Sequence, residues 1–245
     1  MKYSNLILLL SFLCLNLTSA QDNSPLFKKI ETAFKVDKNK VLWQYYSEQT
    51  LKGEHPYKVI AFPLIKETNY GSKNLFSTYL LVYNPEKDAF IYTFIGDGDL
   101  HETPTKHFQG FEVMPNTLML NKKTTALQVK LFFSNFNRKT PTGEALIEWY
   151  IPKGKKLRKV LSTPVSHYEG KVVSTPSQPC GGTMEERSAH IALTEQLVKG
   201  FFTVQITTTI EHKAIVPDTE GCTEKLLSTD TVTEEWHYTK KGYTP

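Results

Sequence analysis

The chain has 245 residues, of which 40% are hydrophobic and 22% charged, and a formal net charge of +4 at neutral pH. A charge this mild argues for no polyanionic partner, nucleic acid included. No fixed-period repeat and no low-complexity tract interrupts the sequence.

The first twenty residues read as a secretory signal peptide. Lys2 gives a short positive start, Leu6 to Leu15 form a mostly apolar run, and Thr18-Ser19-Ala20 precede a cut at Ala20/Gln21. The apolar run is too short to span a bilayer, and no later stretch is long and apolar enough to do so, so no transmembrane segment is expected. Cys14 follows Leu13, whereas a lipoprotein signal needs a small residue there. Cleavage removes Lys2 and no acid, which lowers the charge to +3. The expected location is periplasmic or extracellular, and the expected mature chain is a single β-rich domain over residues 21–245.

The mature chain opens on a helix signal. Ser24 is a capping residue and Pro25 suits the first helical position. Leu26, Phe27, Ile30, Ala33 and Phe34 then fall on one helical face. Strand signals follow. Residues 41–49 and 57–65 flank a turn-forming segment, and 77–83 and 89–95 flank Asn84-Pro85-Glu86-Lys87-Asp88. Short apolar runs at 111–114 and 117–120 are split by Pro115-Asn116. Residues 126–136, 144–151 and 156–162 come next, and 164–182 read as a long loop or internal boundary rich in Pro, Ser and Gly. Residues 187–198 and 201–212 meet at Lys199-Gly200, with Phe202, Val204, Ile206, Thr208 and Ile210 alternating against polar neighbours. The last strand is 228–239. Many short strands with almost no helix predict an all-β fold, an antiparallel barrel or a strongly curved sandwich with one short N-terminal helix.

Two cysteines remain after cleavage, Cys180 and Cys222. In an oxidising compartment a disulfide is the leading reading, contributing about 4 kcal/mol in the chain-entropy picture. The competing reading is a nucleophilic thiol at Cys180, which would need an activating base.

The stretch Gly96-Asp97-Gly98-Asp99-Leu100-His101-Glu102, followed by His107, gathers metal-ligating side chains. Asp97 and Asp99 have the alternate spacing of a calcium loop, but His101 stands at the third position. A transition-metal site would use Asp97, Asp99, His101 and His107, and the plain alternative is a turn after an apolar strand. The sequence carries no G-x-S-x-G, H-E-x-x-H or glycine-rich phosphate loop. His190, His212 and His237 all fall in predicted strands. The numerous aromatics build a core or, in a barrel, line an apolar pocket.

Three fragments taken together resemble the T-type phycobiliprotein chromophore lyase family. They are Trp43 to Gln49 with His55-Pro56-Tyr57-Lys58, then Tyr83-Asn84-Pro85-Glu86-Lys87, and finally Trp236 with Gly242-Tyr243. The resemblance implies a calycin-like antiparallel barrel that holds a tetrapyrrole or similar ligand, with Glu48, Gln49, Tyr57 and Lys58 near the pocket. The expectation is therefore an exported β-rich protein that binds a small apolar ligand or an envelope protein without catalysis, its cofactor unspecified. The alternative is an enzyme, either chromophore-lyase-like or a metal-dependent hydrolase using residues 97–107.

Overall fold

The structure, a computed structural model, describes residues 24–53, 56–69, 73–135, 137–173, 180–219 and 221–245. The signal-peptide reading of residues 1–20 lies outside them. Helix α1 spans Pro25–Phe34 as the sequence predicts. The Ser24 hydroxyl accepts from the Phe27 N–H at 3.0 Å, Pro25 opens the first turn, and Phe27 and Ile30 are fully buried.

Fourteen strands follow among the described residues: β1 (Ser47–Thr50), β2 (Lys58–Asn69), β3 (Lys73–Asn84), β4 (Ala89–Ile95), β5 (Leu100–Glu102), β6 (His107–Val113), β7 (Leu118–Asn121) and β8 (Thr124–Ser134). They continue with β9 (Thr142–Lys153), β10 (Lys156–Val172), β11 (Gly182–Val198), β12 (Phe201–Asp218), β13 (Gly221–Thr239) and β14 (Gly242–Thr244). All belong to one sheet that runs β1-β2-β3-β4-β10-β11-β12-β13-β14, with β9, β8, β6 and β7 branching from β10 and β5 paired to β3. The first half curls on itself without closing. Its lateral links are single residue pairs, the parallel pair Lys156–Thr93 and the bridge Thr103–Lys106 between β5 and β6. Of the two architectures expected, the curved sandwich is the one formed.

Three apolar layers result. Inside the curl, Val59, Ala61, Leu80, Val82, Leu127, Val129, Leu131, Tyr150 and Leu157 make the first. Behind it, Ile147, Trp149, Ile151, Leu161, Val204, Ile206, Tyr238 and Tyr243 join the outer side of β9 and β10 to β12–β14. On the other flank α1 covers Ile60, Phe62, Tyr79 and Leu81 of β2 and β3. Strand β9 thus faces apolar cores on both sides, which accounts for its nearly continuous apolar run.

Local chemistry sets the connections. At the β3–β4 turn the Asn84 carboxamide oxygen accepts from Glu86 N and Lys87 N, at 2.9 and 3.1 Å. Lys199 and Gly200, both at positive φ, make the two-residue turn between β11 and β12.

Two readings of the chain need correction. Residues 41–49 are not one strand: Trp43–Tyr45 form a 3-10 turn that separates a single bridge, Val41 to Leu64 of β2, from the strand Ser47–Thr50, which also pairs with β2. The aromatic rings decide this, because Trp43 and Tyr46 turn onto Phe27 of α1, at centroid distances of 4.5 and 6.3 Å. Residues 164–172 are not loop but the second half of β10, with Pro164 at the edge of a register shift against β9. A β-bulge tolerates proline within a sheet. Residues 174–179 lie outside the described set.

Beyond the second core, β11, β12 and β13 run on as a long antiparallel ribbon. A disulfide joins Cys180, just ahead of β11, to Cys222 in β13, with Cα atoms 5.5 Å apart. It ties the chain entering the ribbon to its outermost strand.

Candidate functional site

The open end of the curled sheet holds a cavity of about 550 Å³. Val82 of β3, Tyr92 of β4, Leu127 of β8, Tyr150 of β9 and Leu157 of β10 wall it, and Leu51 and Tyr57 stand at its entrance side. Thr117 and Thr125 are exposed at the rim. The walls come from the inner face of the curl because each of these residues follows the period-two alternation of its strand. Volume and lining fit a small, largely apolar molecule.

A polar cluster lies beside Tyr150 on the same face of β9. Glu148 sits two residues before Tyr150 on the same face of β9 and is 5% exposed. Its carboxylate accepts from Lys159 Nζ at 2.7 Å, from Ser162 Oγ at 3.1 Å and from the Tyr150 hydroxyl. The register puts Lys159 opposite Tyr150 and Ser162 opposite Glu148. Burial, with the Glu148 charge beside it, holds the Tyr150 hydroxyl well above the ordinary phenol range. Lys159 also lies 5.9 Å from the centre of the Phe94 ring on β4. The tyrosine therefore has an apolar ring on the cavity wall and a hydroxyl anchored to a buried carboxylate, which fixes its position.

The four positions taken from the resemblance are split between two faces. Gln49 pairs with Val59 and shares its inward side, whereas Glu48 pairs with Ile60 and lies with Lys58 on the face toward α1. Lys58 and Glu48 form an ion pair at 2.6 Å, and the Tyr46 hydroxyl donates to Glu48 at 3.2 Å. Burial is the main reason the Tyr46 hydroxyl is held well above its ordinary range. Tyr57 alone of the four lines the cavity.

Residues 96–99 form the connection between β4 and β5. The Asp99 carboxylate accepts from the Thr78 N–H at 2.9 Å, and the Ser77 hydroxyl accepts from the Gly98 N–H at 3.3 Å. A Cβ on Gly96 would lie 2.0 Å from Asp99, and Gly98 has φ +64°, so both glycines are required by this turn. Asp97 is ion-paired with Lys66. His101 lies opposite Leu75 on β3, and His107 opposite Ser134 on β8, so the two histidines belong to different ladders. Among the described residues no three His, Cys, Asp or Glu side chains are grouped to hold a metal ion. His190 pairs with Thr207 and His212 with Glu185, which puts these two on opposite faces of the ribbon.

The cavity wall and the polar cluster that anchors Tyr150 are not evident from the sequence. One signal was available: Glu148 is the lone charge in Ala145-Leu146-Ile147-Glu148-Trp149-Tyr150-Ile151. A charge inside a strand buried on both faces must find partners. No helix among the described residues is long and apolar enough to cross a membrane, a fact that says nothing of strands. Compared with protein-family models, with curated proteins and with solved structures, the chain matches none.

Proposed function

We propose that the protein is an exported binding protein that takes a small, largely apolar ligand into the open end of its curled sheet. The observation that carries this reading is the cavity of about 550 Å³ walled by Val82, Tyr92, Leu127, Tyr150 and Leu157. Such a pocket is of the size that encloses a drug-sized ligand, and it offers few polar groups to orient one. The likeness of Trp43–Lys58 to the chromophore lyases supports the same location, since Tyr57 lies at this pocket, and a tetrapyrrole or similar molecule is one ligand of the class. A disulfide supports export to an oxidising compartment.

The test is a fluorescence titration of the purified protein with 1-anilinonaphthalene-8-sulfonate as apolar probe. Saturable one-to-one binding is expected. Thr125→Trp puts a large ring at the exposed rim without entering the core, and it should weaken binding roughly tenfold by filling the mouth. Absence of saturable binding, or binding that Thr125→Trp leaves unchanged, overturns the assignment of this cavity.

A further inference from the structure

Strand β13 is the outermost long strand of the ribbon. It pairs with β12 along its length and with β14 only at His237, Tyr238 and Thr239. Fifteen consecutive residues, Gly221 to Glu235, are exposed, and among the described residues no strand pairs with their outer edge. An edge of this length, with no proline in it, offers its backbone N–H and C=O groups to another strand.

The ladder with β12 says which strand fits. Successive residues of an antiparallel strand turn their backbone groups alternately toward the partner and away. The register with β12 skips Leu227, since His212 pairs with Ser228 and Lys213 with Leu226. Val232, Asp230 and Ser228 therefore belong to one class, and past the skipped residue Lys225 and Thr223 belong to the same class. Thr233, Thr231 and Thr229, with Leu226, Glu224 and Cys222, make up the other.

A second copy of β13, running antiparallel about a two-fold axis between Leu227 and Ser228, matches class with class on both sides of the axis, where the skipped Leu227 of each copy meets Ser228 of the other. It sets Lys225 against Asp230 of the second copy, Thr223 against Val232, Leu226 against Thr229, and Glu224 against Thr231. The Lys225–Asp230 match occurs twice by symmetry, and no like charges oppose each other. A register centred on Asp230 would set that aspartate against itself and would lose the class match beyond Leu227. Leu226 and Leu227, 53% and 61% exposed, come together at the axis. The disulfide at Cys222 holds the start of this edge to the chain entering β11.

We propose that β13 is a homodimer interface, in which two copies of this chain join edge to edge into one continuous sheet with Lys225 of each paired to Asp230 of the other. The isologous pairing closes, because it uses the β13 edge of both copies and leaves neither of those two for a further strand.

Sedimentation of the purified full chain over a concentration series tests it. A concentration-dependent dimer is expected. Lys225→Asp places aspartates against Asp230, Asp230→Lys places lysines against Lys225, and each should raise the dissociation constant roughly tenfold or more. The double variant carrying both changes restores opposite charges and should recover the dimer. Both side chains lie on exposed strand, and far-UV circular dichroism checks that each variant folds. A monomer at every concentration overturns the proposal. So does a dimer indifferent to the single reversals, or a double variant no better than either single one.

Discussion

Lys159→Met should destabilise the protein well beyond an ordinary surface change. Glu148 is 5% exposed and is held by Lys159, Ser162 and Tyr150. Removing the lysine leaves an ionised carboxylate inside the curl with two neutral donors. Breaking a fully buried ion pair costs about 3–5 kcal/mol. The Lys159 side chain is 34% exposed, so water already screens part of this attraction, and the expected loss falls to about 2–3 kcal/mol. For a chain of this size that lowers the melting temperature by roughly 4–12 °C. Glu148→Gln keeps an acceptor for Tyr150 and Ser162 while removing the charge, so by itself it should cost about 1–2 kcal/mol. The double variant has no stranded charge and should be more stable than Lys159→Met alone, a coupling readable in a double-mutant cycle by urea unfolding. Wild-type stability in Lys159→Met, or strict additivity in the double variant, would refute the claim that Glu148 is buried as a carboxylate dependent on this lysine.

Two further outcomes follow from other parts of the fold. Gly242 has φ +127° and an added Cβ would come 2.4 Å from the Val160 carbonyl oxygen, so Gly242→Ala should cost roughly 2–3 kcal/mol in chemical unfolding, and an unchanged midpoint would contradict the close approach of β14 to β10. Burial raises the hydroxyl pKa values of Tyr46, Tyr150 and Tyr243 above the ordinary phenol value. In the unfolded chain these groups ionise near pH 10, where the folded protein still holds their protons. Their contribution to stability is thus complete below about pH 10 and is lost as pH rises from there through the raised native values. Ultraviolet titration at the phenolate band should show a delayed, cooperative step that coincides with unfolding, and gradual ionisation of all tyrosines without it would count against the burial.

The elements legible in the sequence are those whose cause is local. The cap at Ser24, the turn at Asn84 and the two-residue joint at Lys199-Gly200 each depend on a few neighbouring residues, and each was readable. So was the disulfide, because Cys180 and Cys222 are the two cysteines outside the apolar N-terminal run. What escaped depends on tertiary packing. The 3-10 turn at Trp43–Tyr45 exists because Phe27 lies beneath it, and the alternation of Trp43, Tyr45 and Ser47 reads as strand without that knowledge. The strand through Pro164 exists because the ladder shifts register there. The cavity is assembled from β3, β4, β8, β9 and β10, and no single segment announces it.

The third fragment of the family resemblance shows how a motif can be legible without its role being so. Gly242-Tyr243 is not at the cavity. The Tyr243 hydroxyl donates to the Phe202 carbonyl at 2.9 Å, and its ring meets Trp149 and Tyr238 edge-on in the second core. Gly242 lets that strand approach Val160 closely enough for the tyrosine to seat. Trp149 lies on the face of β9 opposite Tyr150, so the same strand that carries the tyrosine at the cavity is braced from behind by the C-terminal one. A residue pair can thus support a binding wall from the far side of a strand, where a search confined to pocket-lining positions would not find it. Gly242→Ala should on this account weaken ligand binding as well as stability, whereas Thr125→Trp should weaken binding alone.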